Sequence, residues 1–220
     1  MSHFEQEVAS LKNELLTMAS HAETAVKRAL QALVERNYDL AIQVKADDRV
    51  LDQFEIAIDD LAIHLLAKAP LASDLRLITV AMKISQNLER VGDEAAKIAK
   101  RARDLSQEPP LKLALDIPQM ADLVLQMLKA ALDAFVGHEP AKARAVIPHD
   151  KEVDLLNKKV HRDLAQQMIE DPGTITRCLH LMVVAKSLER IADHATNIAE
   201  EVVYLCEALD IRHPGKEGVK

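Results

Sequence analysis

The chain has 220 residues, of which 49% are apolar and 29% are charged, and its formal net charge is −7. This apolar content is enough for a sizeable core, whereas the negative charge, with no long basic run to offset it, argues against a general binder of nucleic acid or anionic membranes. Aromatic residues make up 2% and there are 5 glycines, a composition typical of long packed helices, so we predict an all-α protein.

The sequence shows no signal for export or membrane insertion. Its first residues lack a basic stretch followed by an apolar one, and no window reaches the roughly 18 uninterrupted apolar residues of a spanning helix. Cys178 and Cys206 fall on one predicted helix, about 42 Å apart at 1.5 Å per residue, which is too far for a disulfide. We therefore expect a cytoplasmic protein with reduced cysteines and no direct membrane insertion.

Apolar residues spaced three and four apart predict three helices in the first half, over about residues 4–36, 39–67 and 73–106. Asn37 separates the first two helices and Pro70 ends the second. Ser73 is the expected N-cap of the third helix. These helices form the first predicted domain, residues 1–106.

Residues 107–118 contain three of the chain's 8 prolines and form the predicted linker. The second predicted domain, residues 119–209, holds helices over about 119–136, 140–170 and 174–209. Gly137 is the expected left-handed residue after the first of them, and Pro148 is expected to kink the second. Residues 210–220 are the expected flexible tail.

The two halves contain a repeated motif. LERVGDEAAKIA at residues 88–99 returns as LERIADHATNIA at residues 188–199, with seven of twelve positions identical. Short connections favour antiparallel packing, so we predict two tandem three-helix bundles related by internal duplication. A strip of small residues beside the apolar seam is the expected contact between the bundles; it comprises Ser85, Gly92 and Ala96, matched by Ala185, Ala192 and Thr196.

Each copy of the motif places two carboxylates four residues apart, at Glu89 and Asp93 and at Glu189 and Asp193. On one helix face that spacing costs a few tenths of a kcal/mol of repulsion. At about 100° per residue, both pairs point away from the apolar seam, so we expect them to face outward.

The middle helix of each half carries a second repeated acidic pair. These pairs are Asp48 with Asp52, and Asp150 with Asp154. Four carboxylates from two adjacent helices form a hard-oxygen cluster that suits Mg, Ca, Mn or Fe better than Zn. The alternative is a solvated surface on which Arg90 and Arg190 form ordinary ion pairs.

The two candidate metal sites differ in the residue that follows the motif aspartate by four positions. Lys97 stands in the first copy and would compete with a cation at Asp93. Asn197 stands in the second copy and, with Glu200, adds oxygen donors. The second-half site is therefore the favoured one, and His194 is interpreted as an interface residue rather than a ligand.

Several enzyme signatures are absent from the sequence. It has no Glu-x-x-His pair of a ferritin-like di-iron site, no glycine-rich phosphate loop, no Cys-x-x-Cys and no His-Glu-x-x-His. We therefore do not expect an enzyme.

The duplicated Leu-Glu-Arg-(Val/Ile)-x-Asp motif, the Ile-Ala that follows it, and Asp74-Leu75-Arg76 together resemble the PhoU family of phosphate-uptake regulators. The resemblance covers about residues 5–208. It implies two three-helix bundles in a cytoplasmic, often dimeric, negative regulator. Such regulators link the high-affinity phosphate ABC transporter to the phosphate-sensing histidine kinase.

The resemblance also implies metal binding, since some members hold multinuclear clusters through acidic pairs that match Glu89 with Asp93 and Glu189 with Asp193. The family's asparagine four residues later is matched by Asn197 but replaced by Lys97 in the first copy. The resemblance thus implies a multinuclear iron site at the acidic clusters, or else one of manganese, magnesium or zinc.

Three functional hypotheses remain open at this stage. The first is a non-enzymatic adaptor that binds the transporter's ATPase subunit and the sensor kinase, as a homodimer. The second is a metal-dependent phosphoester hydrolase that uses the second-half site. The third is a helical scaffold without metal.

Overall fold

The computed structural model describes residues 3–69 and 71–212 of the chain. Within them lie eight α-helices and one 3-10 turn, Pro172–Thr174, and no strand, which confirms the all-α prediction. The helices are, in chain order, α1 (His3–Val34), α2 (Tyr38–Asp47), α3 (Arg49–Leu66), α4 (Ala72–Ser106), α5 (Ile117–Gly137), α6 (Pro140–Val146), α7 (His149–Glu170) and α8 (Ile175–Glu207).

The helices form two three-helix bundles, as the internal duplication predicts. In the first bundle α1 and the α2–α3 segment pack on α4, and in the second α5 and the α6–α7 segment pack on α8. The apolar seam of the repeated motif is fully buried, with Leu88, Ile98, Leu188 and Ile198 each 0% exposed. Burial of each such side chain stabilises the fold by about 1.5–3 kcal/mol. One cluster of buried apolar side chains runs through both halves.

The middle helix of each bundle is kinked, which the sequence predicted only for the second half. The first-half helix expected over residues 39–67 is interrupted at Asp48, and the second-half helix at Ile147 and Pro148. The backbone stays right-handed helical at Asp48, with φ −52° and ψ −41°, so the chain bends without leaving the helix. Because Asp48 is not a helix breaker, local sequence gave no signal for this kink.

Two helix ends differ from their expected residues. α4 begins at Ala72 with Leu71 in the N-cap position, so Ser73 lies inside the helix rather than capping it. α5 extends through Gly137, and His138 takes the left-handed conformation, with φ 50°. Histidine is among the non-glycine residues that tolerate this region, so the expected stop is displaced by one residue.

In the first half, Gly92 and Ser85 of the small-residue strip do not join the bundles, so that part of the prediction is wrong. A Cβ atom at Gly92 would collide with the Leu51 side chain of α3, and Ser85 Oγ donates to Met18 Sδ of α1 at 3.4 Å. The strip therefore admits close helix packing inside the first bundle. The bundles meet instead along α4 and α8.

The expected linker and tail both contact the helices. Arg177 of α8 donates to the Pro109 carbonyl at 3.0 Å, and three leucines before α5 pack against the core: Leu111, Leu113 and Leu115. Arg212, the third residue of the expected flexible tail, donates to Glu201 at 2.9 Å. Pro70 and residues 213–220 lie outside the described residues.

Transmembrane helices are absent from the described part of the chain. Within residues 3–69 and 71–212, no helix has both the length and the apolar content that crossing a bilayer requires.

The kink in the first half indicates that proline is not needed to bend the middle helix. We therefore expect Pro148→Ala, at an exposed position, to change the free energy of unfolding by less than about 1 kcal/mol. Chemical denaturation and circular dichroism measure the effect. The control Val146→Ala removes buried methyl groups beside the kink and should cost about 2 kcal/mol. A larger loss for Pro148→Ala than for Val146→Ala would contradict this interpretation.

Candidate functional site

The first candidate site lies where the kinked middle helix crosses α4. Asp48, at the kink, is half-buried, and its pKa is raised by burial and then by the negative charges of Asp93 and Asp52. Lys97 partly offsets this effect. The structure therefore brings together carboxylates from the middle helix and from α4, as the repeated pairs predicted.

Glu89 and Glu55 complete the first carboxylate group. The pKa of Glu89 is raised by burial and then by the charge of Asp93, and Arg90 opposes the increase. The pKa of Glu55 is also raised, first by burial and then by Asp59. Sequence reasoning missed Glu55 because the corresponding position in the second half is an asparagine, Asn157.

The second group repeats this arrangement on α7 and α8. Burial, followed by the charges of Asp150 and Glu189, raises the pKa of Asp193 to about 6. The pKa of Asp150 is raised by burial and then by Asp154 and Glu189. All four carboxylates predicted for the second half thus lie within electrostatic range of one another.

The motif glutamates face the middle helices rather than solvent, which corrects the expectation that both motif pairs point outward. Asp193 is exposed, whereas the side chains of Glu89 and Glu189 are only 13% and 15% exposed. The glutamates lie on the flank of the long helices, and the kinked middle helix packs over that flank. Each glutamate therefore loses hydration while it faces other carboxylates.

Two buried side-chain oxygen atoms near the second group lack a hydrogen-bond partner. Among the described residues they belong to Asn157 and Thr196, whereas the Glu189 carboxylate is paired with Lys186. Asn157 follows Asp154 by three residues and Thr196 follows Asp193 by three, so each lies on the helix face that carries the second group. Each unpaired buried oxygen costs about 1–3 kcal/mol, which a bound cation or water would offset.

The cations near the two carboxylate groups pair only partly as the sequence predicted. Arg90 pairs with Asp93 at 3.3 Å, as an ordinary surface pair would. Lys97 instead binds Glu94 at 2.8 Å, so it does not occupy the position beside Asp93. In the second half Lys186 contacts Glu189.

The side-chain amide of Asn197 is engaged outside the second group. Its nitrogen donates to Asn87 of α4 at 3.2 Å, although Asn197 lies only about one helical turn beyond Asp193. Asn197 therefore belongs to the contact between the bundles in this structure. His194 lies there too, with Nδ1 at 2.9 Å from Asn87 Oδ1, as its interpretation as an interface residue predicted.

A buried acid anchors the contact between the bundles. Glu94 of α4 is 4% exposed and lies 3.2 Å from Arg190 of α8. Burial raises its pKa, but hydrogen bonds from Lys97, Ser187 and Arg190 outweigh burial and lower the pKa overall. Sequence reasoning missed this contact because Arg190 was expected to pair with Asp193, three residues along its own helix.

The chemistry of both groups suits a hard cation, since their donors are carboxylate and amide oxygens. In the described ranges 3–69 and 71–212, however, no three His, Cys, Asp or Glu side chains are placed to hold a metal ion together. The carboxylates are near enough to raise one another's pKa, yet they would have to turn toward a common point to coordinate a metal.

The raised pKa of Asp193 predicts a pH-dependent stability. Between the unfolded pKa of about 4 and the folded pKa of about 6, the folded protein binds more protons, so the free energy of unfolding falls as pH rises. Well above pH 6 the Asp193 carboxylate is ionised in both states, and the full cost of its ionisation in the folded protein lowers the free energy of unfolding. We expect Asp193→Asn to stabilise the protein by about 1 kcal/mol at pH 7.5, allowing for the exposure of the side chain, and to flatten the decline between pH 4 and 6.

Denaturant titrations across this pH range measure both effects. The matched control is Asp133→Asn on α5, whose carboxylate lies 3.5 Å from Lys129 and should change stability by less than about 0.5 kcal/mol. Equal effects of the two substitutions at pH 7.5 would show that the second group does not hold Asp193 against repulsion.

Comparison with known proteins finds one family domain in each half of the chain. A family model described as the PhoU domain matches twice, over residues 15–102 and 117–202, one match in each half. Among curated relatives, the phosphate-specific transport system accessory protein PhoU homolog of Zymomonas mobilis is 40% identical over 202 residues, covering 91% of this chain and 85% of that protein. The homolog from Pseudomonas aeruginosa is 39% identical over 219 residues, covering 99% of this chain and 90% of the relative.

Solved structures show the same fold. The crystal structure of PhoU from Pseudomonas aeruginosa matches with a TM-score of 0.91 at 39% identity, covering 94% of this chain and 100% of the other. The phosphate transport system regulatory protein PhoU from Streptococcus pneumoniae matches with a TM-score of 0.87 at 29% identity, covering 96% and 100%. With both repeats matched and the relatives aligned over nearly their full length, the chain belongs to the PhoU family.

Proposed function

We propose that this protein is a cytoplasmic, non-enzymatic adaptor that restrains phosphate uptake and phosphate-starvation signalling. Its partners would be the ATPase subunit of the phosphate ABC transporter and the phosphate-sensing histidine kinase, and its working form would be a homodimer. The names of its relatives, accessory and regulatory proteins of phosphate transport, carry the proposal. No part of it requires chemistry at the carboxylate groups.

The outer face of α3 supports an adaptor role because it exposes apolar side chains beside the first carboxylate group. Ile56 and Ile63 are each 62% exposed and follow Asp52 at spacings of four and eleven residues, on one face of the helix. On α7, Leu155 is 66% exposed. Large exposed apolar side chains bordered by charge are typical of protein interaction surfaces, so we propose α3 as the docking helix.

Metal at the carboxylate groups belongs to this proposal as a structural element. Iron or manganese, or else magnesium or zinc, would be held in the second half by Asp150, Asp154, Glu189 and Asp193. A cation there would relieve repulsion and fix α7 against α8. The equivalent first-half ligands would be Asp48, Asp52, Glu89 and Asp93.

A metal-dependent phosphoester hydrolase is the alternative function, and one observation favours it. A carboxyl group with a pKa of about 6, such as Asp193, is suited to proton transfer near neutral pH. Metal-dependent hydrolysis of p-nitrophenyl phosphate that disappears in Asp193→Ala would favour this alternative over the adaptor.

The docking proposal predicts that Ile56→Ser/Ile63→Ser weakens partner capture without unfolding the protein. The purified ATPase subunit and the kinase's cytoplasmic part are the probes, and surface plasmon resonance measures binding. Truncation of a residue that anchors an interface costs about 1–2 kcal/mol or more, so if the two isoleucines are such anchors we expect affinity for at least one partner to fall at least tenfold. Light scattering on the same samples measures the oligomeric state and shows whether the substitutions disrupt a dimer.

The matched control is Val136→Ser at the end of α5, where the valine is 57% exposed. It removes a similar apolar surface from another part of the molecule and should leave both affinities unchanged. If neither partner binds the unaltered protein, the adaptor proposal is overturned. Equal losses in both variants would overturn the choice of α3.

The metal proposal predicts that Mn²⁺ stabilises the protein by binding its folded state. At one hundred times the dissociation constant the gain is about 2.7 kcal/mol. We expect Glu189→Gln/Asp193→Asn to abolish most of the gain and Glu89→Gln/Asp93→Asn to abolish less, because burial and the charges of Asp150 and Glu189 raise the pKa of Asp193 to about 6, so a bound cation relieves the greater cost in the second group. The measured quantity is the difference in stability with and without Mn²⁺, so effects on the metal-free protein cancel. No gain with Mn²⁺ or Fe²⁺ would contradict the proposal.

A further inference from the structure

A basic cleft lies on the first bundle, between α2, the start of α3 and the end of α4. Its volume is about 490 Å³, within the range of small-molecule sites. Four cationic side chains surround it: Lys45, Arg49, Lys100 and Arg103. Ile42 and Ala46 supply an apolar wall.

The charge of this cleft contrasts with that of the chain as a whole, which carries a net −7. Arg103 pairs with Asp104 at 2.7 Å. In the described part of the chain, Lys45, Arg49 and Lys100 form no ion pair. The cleft therefore holds a surplus of positive charge that the surrounding protein does not neutralise.

The helix termini account for only part of this surplus. Arg103 lies at the C-terminus of α4, where a cation is favourable. Lys45 and Arg49 lie on either side of Asp48, where the backbone stays helical, so no helix terminus favours either charge. Helix termini therefore do not explain the cluster of cations.

The duplicated half shows that packing does not require the cations. At the positions matching Lys45, Lys100 and Arg103 the second half has Ile147, Glu200 and Val203. Only Lys151, which matches Arg49, keeps the charge. The same helix framework is thus built without a basic cleft, so the charges are a specific property of the first half.

We propose that this cleft binds a small oligophosphate, either the di- or triphosphate of a nucleotide or an inorganic chain. Charge-assisted bonds from lysine and arginine are the usual ligands of phosphate oxygens, and four cations can meet several phosphate groups at once. A single inorganic phosphate would fill only a small part of the volume. The apolar wall at Ile42 can contact a base or ribose. This site goes beyond the adaptor role and does not depend on it.

Asp48 also lines the cleft and belongs to the first carboxylate group. Its negative charge opposes an anionic ligand, so neutralising it should strengthen binding. We therefore expect Asp48→Asn and removal of the cations to act in opposite directions, which a merely structural role of these residues would not produce.

Isothermal titration of the full chain in 0.15 M salt tests the proposal, with ATP, inorganic triphosphate and inorganic phosphate as separate probes. We expect ATP or triphosphate to bind more tightly than phosphate, Arg49→Ala/Lys100→Ala to weaken binding at least tenfold, and Asp48→Asn to tighten it. Tighter binding of ATP than of triphosphate identifies a nucleotide ligand, and equal binding identifies an inorganic chain.

The matched control is Lys158→Ala/Arg162→Ala on α7, which removes the same charge from exposed positions and should leave binding unchanged. Circular dichroism confirms that each variant folds. Equal losses in the two double variants, or no binding of ATP and triphosphate at millimolar concentration, would overturn the proposal. Binding of anionic phospholipid vesicles through Arg49 and Lys100 without binding of either oligophosphate would also overturn it.

Discussion

The structure depends on apolar packing that holds half-buried carboxylates of adjacent helices against their mutual repulsion. Each motif helix buries one seam completely, and each fully buried leucine or isoleucine contributes about 1.5–3 kcal/mol. Burial and repulsion together cost about 1 kcal/mol at a half-exposed carboxylate such as Asp193. Packing therefore prevails, and the acids remain where a cation or a partner's basic side chains can meet them.

The two halves share one helical framework but pair their charged side chains differently. In the first, Arg90 pairs with Asp93, and Lys97 turns to the buried Glu94. In the second, the corresponding Arg190 crosses to Glu94, so Asp193 loses the arginine expected beside it. The contact between the bundles thus changes the charge balance of both carboxylate groups and makes the second the more electrostatically strained.

Sequence reasoning predicted the elements that repeat and missed those that depend on a single neighbour. The apolar period and the duplicated motif predicted the bundles and the convergence of the acidic pairs. They could not predict the kink at Asp48, which lacks a breaker, or the contribution of Glu55, which the duplication does not repeat. The basic cleft was equally inaccessible, because Arg49 and Lys100 are distant in sequence and meet only when α3 and α4 pack.

Asp48 connects the two proposed sites physically, since its carboxylate belongs to the first acidic group and lines the basic cleft. A cation bound to that group would neutralise part of its charge and so favour an anion in the cleft. Thermodynamic linkage requires the converse with equal magnitude: an anion in the cleft would favour the cation. A phosphate regulator built in this way would bind metal and oligophosphate cooperatively through one side chain, with no change of fold.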